Sequence, residues 1–348
     1  ADCLDNGVTT VFDWCHVINS PDHAEAAVDA HKGLGMRAVF GYGGSMGQKL
    51  RELSGQGDAG DWTHATTLRN REFAGESGRL RMALALQGLD YASLETTLRD
   101  VSTARELNVP MSFHVGVPQG GPPKQSIRRM AEANLLGRDM SFAHCCDASE
   151  REMDLGLEAG AVLMSCPAVD AATGMGATPT PRMRRRGLRP CFTADAVLAT
   201  TGDMFEEARV GLLLDRYEDS LVAFGEGRTV ESMGGRMTAR QALEAVTSVA
   251  ASGCWLEEEV GTLAPGKQAD VILLRATDLN LWPVSNLEAA VVSGAHGRNV
   301  DTVFVAGAMV KHDGALVGVD VERIRQDLVG ARDRLYEASD FDDVSPRT

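Results

Sequence analysis

Two observations in the sequence predict an α/β protein, a (β/α)₈ TIM-type barrel. Short apolar runs alternate with helix-length segments from the start of the chain to about Cys254, the pattern of a parallel sheet joined by helical crossovers. Three of those runs, 109–114, 140–144 and 188–195, end in His114, His144 and Asp195. Barrels of this type carry their chemistry at the C-terminal ends of the strands, so two imidazoles and one carboxylate are expected at one mouth. Together they make most of a mononuclear site for a divalent hydrolytic metal, zinc first and iron as the alternative. Singly, each is an ordinary strand-end polar group; three in the right order, each at the end of its run, argue for a shared role.

The elements follow in order. A strand over 8–14 precedes a helix at Pro21–Leu34, with Ser20 as N-cap and Pro21 at the first helical position. Gly35 ends that helix and a strand runs over 36–42. The Gly- and polar-rich stretch 43–78 is too long for a plain connection and is expected to carry function or mobility. A strand at Leu80–Leu86, a helix over 93–107 and the strand ending in His114 come next. The Pro/Gly loop 116–123 leads into a helix over 126–135 and the strand ending in His144. Ser149 and Glu152 have capping-box spacing for a helix over 149–158. A strand over 161–165, a short helix over 179–186 and the Asp195 strand complete the alternation, and long helices over 203–225 and 238–254 close it. The composition then shifts: a turn-rich approach, 260–270, a short strand at Val271–Leu274, and a hairpin about Gly307 form a small β layer, followed by a helix over 320–338 and a charged, frayed end. The division is therefore 1–258 barrel, 259–319 β portion and 320–348 helix and tail.

Composition bounds the partners. The formal charge of −15 over 348 residues argues against a phosphate backbone, which is bound by clustered cations. Arg182, Arg184, Arg185 and Arg186 form the one basic cluster and read as a solvated helix end. No segment reaches the ~18 uncharged apolar residues of a membrane span, and no signal peptide opens the sequence. Seven scattered cysteines, mostly inside apolar runs, are expected as buried thiols in a reducing cytoplasm; Cys145-Cys146 lacks metal or redox spacing and is placed in the wall beside His144. The chain opens with Ala1 at what reads as the end of a helix, so an upstream part is expected to be missing.

At these residues the chain resembles the amidohydrolase superfamily, in its triazine-hydrolase and cytosine-deaminase-like branch, nearly end to end. Gly7-Val8-Thr9-Thr10-Val11-Phe12-Asp13-Trp14-Cys15-His16 is similar to the family's second barrel strand. His114 and His144 match the histidines that end its fifth and sixth strands. Asp195, with Asp203-Met204-Phe205-Glu206-Glu207 after it, matches the end of the eighth. Gly261-Thr262-Leu263-Ala264-Pro265-Gly266-Lys267-Gln268-Ala269-Asp270 is close to the signature where the family returns to its β-sandwich. The resemblance implies that the first barrel strand is missing here, and that the C-terminal β layer is a sandwich remnant whose strands 271–274 and 300–311 lack partners.

Three departures qualify it. The first-strand His-x-His pair, which supplies two metal ligands, is absent; His16 and His31 do not replace it. The Glu found three residues after the fifth-strand His in many deaminases is Val117 here. The seventh-strand His-x-Pro element reads Ser165-Cys166-Pro167.

The implied function is metal-dependent hydrolysis of a non-peptide C–N bond in a small cyclic nitrogenous molecule, of deaminase or amidohydrolase type. His114, His144 and Asp195 are the candidate ligands. Asp195 is also the general base and then acid, and His144 hydrogen-bonds the nucleophile or the polarised substrate atom. With Val117 no second proton carrier is evident, which moves the expectation from ring deamination toward other C–N hydrolysis. Trp14, His16, Ser165 and Thr193 are the expected substrate-side lining. The alternative is a chain of the same fold without turnover, because three ligands hold a metal weakly. The resemblance further implies a homo-oligomer.

Overall fold

The computed structural model describes residues 1–44, 62–73, 78–117, 122–197, 200–233 and 235–338. A one-turn helix α1 (Asp2–Asp5) precedes β1 (Thr10–Cys15). Next come α2 (Pro21–Leu34), β2 (Arg37–Gly43), α3 (Thr63–Glu72), β3 (Leu80–Leu86), α4 (Leu94–Glu106), β4 (Met111–Val115), α5 (Ser126–Glu132), β5 (Met140–His144), α6 (Glu150–Ala159) and β6 (Val162–Ser165). The alternation ends with α7 (Pro167–Ala172), α8 (Thr180–Arg185), the two-residue β7 (Cys191–Phe192), α9 (Met204–Gly225), α10 (Ala239–Ala245) and α11 (Ser248–Gly253). Strands β1 to β7 form one seven-stranded sheet in sequence order, every pair parallel. The curled parallel sheet with helices outside it is the TIM-type fold the alternation predicts.

Strand periodicity decides what faces the concave side. Successive side chains in a strand point to opposite faces. Phe40, Leu84, Leu86, Met111, Phe113, Met140 and Phe142 join Val28, Leu68, Val101 and Met130 of the helices in the main core. The residues between them face inward, where Val39 and Ala83 meet Leu256 and Val260, and Ala143 and Met164 meet Val249. Because Phe113 faces the helices, His114 is turned inward at the end of its strand. Its register partner is the small Ala143.

The rest of the chain is β8 (Val271–Leu274), α12 (Leu287–Gly294), β9 (Val300–Val305), β10 (Ala308–His312), β11 (Ala315–Leu316) and α13 (Val321–Ala338). Strands β8 to β11 make an antiparallel sheet in the order β11-β10-β9-β8, so the expectation of unpartnered strands is corrected: 271–274 and 300–311 satisfy each other's backbone groups. Ala306 and Gly307, at φ 49° and 79°, make the tight hairpin turn. Leu4 of α1 and Phe205 of α9 pack into this sheet's core with Val300, Val303 and Val305. The Gly-Lys-Gln-Ala-Asp motif now has a physical role. Asp270 takes a bidentate pair of bonds from Arg37 of β2, at 3.0 and 2.9 Å, and Gln268 accepts a third from the same guanidinium at 2.7 Å. Both charges are almost fully buried, so the motif clamps the small sheet to the large one.

Two further expectations are corrected. The arginine cluster is not a solvated helix end. Arg184, its side chain 11% exposed, pairs with Asp215 and Asp219 of α9, Arg185 also pairs with Asp219, and Arg182 donates to the carbonyls of Cys146 and Ala148. The segment 238–254 is not one helix either: Thr247, at φ −128° and ψ −93°, breaks it into α10 and α11, with its hydroxyl bonded back to the Leu243 carbonyl. The capping box at Ser149 and Glu152 is present. The stretch expected to carry function, 43–78, is described at 43–44, 62–73 (with α3) and 78, and the loop at 116–117 and 122–123; the rest of both, and the end of the tail, lie outside the described residues. Among the described residues no helix is long and apolar enough to cross a membrane.

Candidate metal centre and active site

His114 ends up at the mouth because of β4's period, and the turn after it is held in place by Asp90. That buried carboxylate accepts from the amides of Gly116 (3.0 Å) and Val117 (3.4 Å) and from the Ser126 hydroxyl. Burial raises its pKa above the usual carboxylate value. With its oxygens committed to these donors, Asp90 is a brace for the loop and does not replace the missing glutamate at Val117.

His144 and Asp195 reach the mouth through strained backbone. Both have positive φ, 71° and 52°, and Cys145 follows at 55°. Non-glycine residues in this region cost about 1–3 kcal/mol each and concentrate at functional sites. The strain at His144 lets it turn toward the same mouth as His114, although Ala143 before it already faces inward. The two imidazoles stack with ring centroids 5.1 Å apart and planes 19° from parallel. His144 Nε2 lies 3.9 Å from Asp195 Oδ2. One ligand atom from each of His114, His144 and Asp195 falls within 4.8 Å of the others.

A residue that sequence reasoning missed stands behind His144. Asp170, on α7, lies 2.8 Å from His144 Nδ1, and both side chains are 2% exposed. Its second oxygen accepts the Cys166 amide at 3.0 Å. The carboxylate places the imidazole proton on Nδ1 and turns the Nε2 lone pair toward Asp195, the orientation a metal-ligating histidine needs. The carboxylate and the buried Cys166 thiol also lie within ligand distance of His144. However, His144 Nδ1 is already bonded to Asp170, and burial pushes the Cys166 thiol well up, which keeps it neutral. The one available signal was position: Asp170 lies in the first turn of the helix that begins at Pro167, at the end of the Ser165-Cys166-Pro167 element.

The remaining candidates fall as follows. Trp14 packs edge-on against His114, with centroids 4.2 Å apart, and against His16 at 5.3 Å. The Trp14 indole N–H is buried without a hydrogen-bond partner among the described residues, and so is the Gln87 carbonyl oxygen just past β3. Tyr91, not singled out from the sequence, stands perpendicular to His114 at 6.4 Å. Thr193 accepts the Asp195 amide at 3.3 Å and so helps set the strained turn. Ser165 is fully buried, its hydroxyl 3.4 Å from that of Thr178, which makes it part of the wall. Cys145 and Cys146 are buried beside His144 as expected, and both thiols are raised by burial. His31 points away from the mouth and pairs with Asp13 at 2.9 Å.

Comparison with known proteins agrees with this architecture. The chain is 24% identical over 320 residues to a 5′-deoxyadenosine deaminase of Methanopyrus kandleri, covering 89% of this chain and 70% of that protein. It is 28% identical over 259 residues to a 5-methylthioadenosine/S-adenosylhomocysteine deaminase of Moorella thermoacetica, covering 72% of this chain but 58% of the relative. Among solved structures, a zinc-bound adenosine deaminase from Xanthomonas campestris superposes with a TM-score of 0.77 at 18% identity, covering 97% of this chain and 73% of that one. An atrazine chlorohydrolase from Arthrobacter aurescens, complexed with zinc, has the same score and identity over 94% and 73%. The profile of the Amidohydrolase family matches residues 2–310. The chain belongs to the amidohydrolase family, and with it to the hydrolases of carbon–nitrogen bonds other than peptide bonds.

Proposed function

We propose that the protein hydrolyses the bond between a ring carbon and an exocyclic nitrogen of a small nitrogenous heterocycle, with a divalent metal, zinc first, at the mouth of the sheet. The observation that carries this reading is the convergence of His114, His144 and Asp195 within 4.8 Å, with Asp170 fixing the tautomer of His144. Two imidazole nitrogens and a carboxylate oxygen suit zinc, whose catalytic sites use three such protein ligands and keep a position open. These three residues would hold the ion. When bound, it supplies the Lewis acidity that makes water a competent nucleophile near neutral pH.

The chain's own residues account for the rest. Asp195 is 28% exposed where His144 is 2%, so it is the carboxylate that water and substrate reach. It accepts a proton from the attacking water and delivers it to the departing nitrogen as the C–O bond forms and the C–N bond breaks. Among the described residues the Trp14 indole N–H, beside His114, is a buried donor without a partner. Such a group is costly unless a ligand completes it, and it suits a ring-nitrogen acceptor on the substrate. The deaminase names of the relatives support an adenine-like amine as substrate. Free, mostly buried cysteines fit the reducing cytoplasm.

Asp195→Asn tests the mechanism. The variant is expected to retain much of the metal, measured by elemental analysis, because one ligand oxygen survives. It should lose ~10²–10⁴-fold in kcat for release of ammonia from aminopurine nucleosides. Near-normal turnover would sink the assignment. Failure of the wild-type protein to hold zinc after dialysis would instead favour the fold without turnover.

A further inference from the structure

Helix α7, which carries Asp170, is six residues long, and its N-cap residue, Cys166, makes no side-chain bond to the first turn. A helix this short does not support itself, and its first amides have no partner within the helix. A partner comes from α9. Glu207 Oε2 accepts the Ala168 amide at 3.2 Å across 39 residues of sequence, and Ala168 stands two residues before Asp170. Asp170 ties down the same turn: one oxygen accepts the Cys166 amide at 3.0 Å while the other holds His144 Nδ1 at 2.8 Å. Helix α9 is a fixed platform for the Glu207 contact. Asp203 caps it, accepting the Phe205 amide at 2.8 Å, and the other Asp203 oxygen accepts the Gly297 amide at 3.0 Å. A Cβ at Gly211, one turn beyond Glu207, would collide with the Phe192 ring of β7, so the helix lies directly on the sheet there.

We propose that Glu207 is a positioning residue for the metal centre, an assignment that rests on His144 being a ligand. Through the Ala168 amide it fixes the first turn of α7, and with it the Asp170 carboxylate that orients His144. The residue type supports this role. Glu207 is 0% exposed, and among the described residues its Oε1 is buried with no hydrogen-bond partner. Burying a carboxyl with one oxygen unpaired costs stability that an apolar side chain would not lose, so packing alone does not account for it. Nor does charge. Burial, with Glu206, Asp170 and Asp195 nearby, pushes its pKa up to about 8. Near neutral pH it is thus an uncharged acceptor and sets no further negative charge against Asp170. What remains is the bond to Ala168, which needs a side-chain oxygen at that reach.

The test uses the metal-free protein with isotope-labelled histidine, near neutral pH, and long-range nitrogen–proton NMR, which reads the tautomer of each imidazole. His144, identified by the signals that change in Asp170→Ala, is expected as the pure Nδ1–H tautomer in the wild type. Glu207→Leu should move it to the tautomer mixture of a free imidazole and leave His31, paired with Asp13 on other elements, unchanged. Glu207→Gln, which keeps the oxygen, should give the wild-type signals. Zinc affinity, measured by chelator competition, is expected to follow the same order. The loss in Glu207→Leu should be about tenfold, the low end of what disturbing the partner behind a ligating histidine costs. If Glu207→Leu does not fold, Glu207→Asp, one methylene short of the Ala168 amide, is measured in its place with the same expectation. Wild-type His144 signals and zinc affinity in the folded variant overturn the proposal, and so do equal losses in the Leu and Gln variants. A wild-type protein that holds no zinc removes the metal reading of the site but not this role, and the His144 signals then decide alone.

Discussion

Asp170 and His144 illustrate how much of the site rests on single atoms. The 2.8 Å contact holds an imidazole that is 2% exposed and has a positive φ, so the ring has neither solvent nor relaxed backbone to fall back on. Removing the carboxylate frees the ring to flip or to take the other tautomer. Asp170→Ala is therefore expected to lower zinc affinity ~10–100-fold, the usual cost of losing a partner behind a ligating histidine, as read by competition with a chromogenic chelator. Asp170→Asn keeps an oxygen for Nδ1–H and should recover most of the affinity. Equal losses in the two variants would mean that the residue serves only local packing.

At the scale of elements, α9 couples the site to the helix layer. It carries Glu207, which is fully buried and accepts the Ala168 amide at 3.2 Å, and burial pushes its pKa up to about 8 from an ordinary 4.5. Between those values the folded chain holds a proton that the unfolded chain has released. Stability from this group is thus fully present below about pH 4.5, is lost as pH rises through the window, and levels off above about 8. Glu207→Gln keeps the acceptor and removes the titration. In the presence of chelator, the variant's melting temperature is expected to gain on the wild type steadily from pH 5 to pH 8. Parallel melting curves for the two proteins would show that Glu207 is ionised in the fold. The same helix supplies Asp215 and Asp219 to Arg184 and Arg185, an ion cluster that turns an apparent basic patch into packing.

For the whole molecule, the joint between the two sheets is concentrated in Arg37 and Asp270. The pair is buried to 1% and 4% exposure and separated by 233 residues in sequence, and Asp270 also accepts the Ala306 amide at 2.8 Å. Leaving Arg37 buried without its partner is expected to cost about 3–5 kcal/mol. Asp270→Ala should therefore lower the denaturant midpoint sharply, in one cooperative step if the sheets unfold together and in two if the joint is all that couples them. A change below ~1 kcal/mol would mean that the apolar contacts of Leu4 and Phe205 carry the joint instead.

The sequence by itself determined the parallel α/β architecture, because alternating apolar runs and helix-length segments are local patterns that survive without tertiary information. It also placed His114 and His144 at the ends of their strands and Asp195 shortly after a third, since strand boundaries are local, but only the positive φ of His144 and Asp195 turns those two to the mouth that period 2 gives His114. Tertiary structure alone decided what those patterns meet. Asp170 is 26 residues from His144 and Arg37 is 233 from Asp270; the position of Asp170 after the Ser165-Cys166-Pro167 element marks a place and not a partner, and nothing near Arg37 announces Asp270. The arginines of α8 looked solvated because burial of a charge is set by what packs over it, here the acids of α9. The small sheet's strands looked unpartnered because pairing is a property of the space between them, where β8 to β11 close on one another and satisfy their own backbone groups.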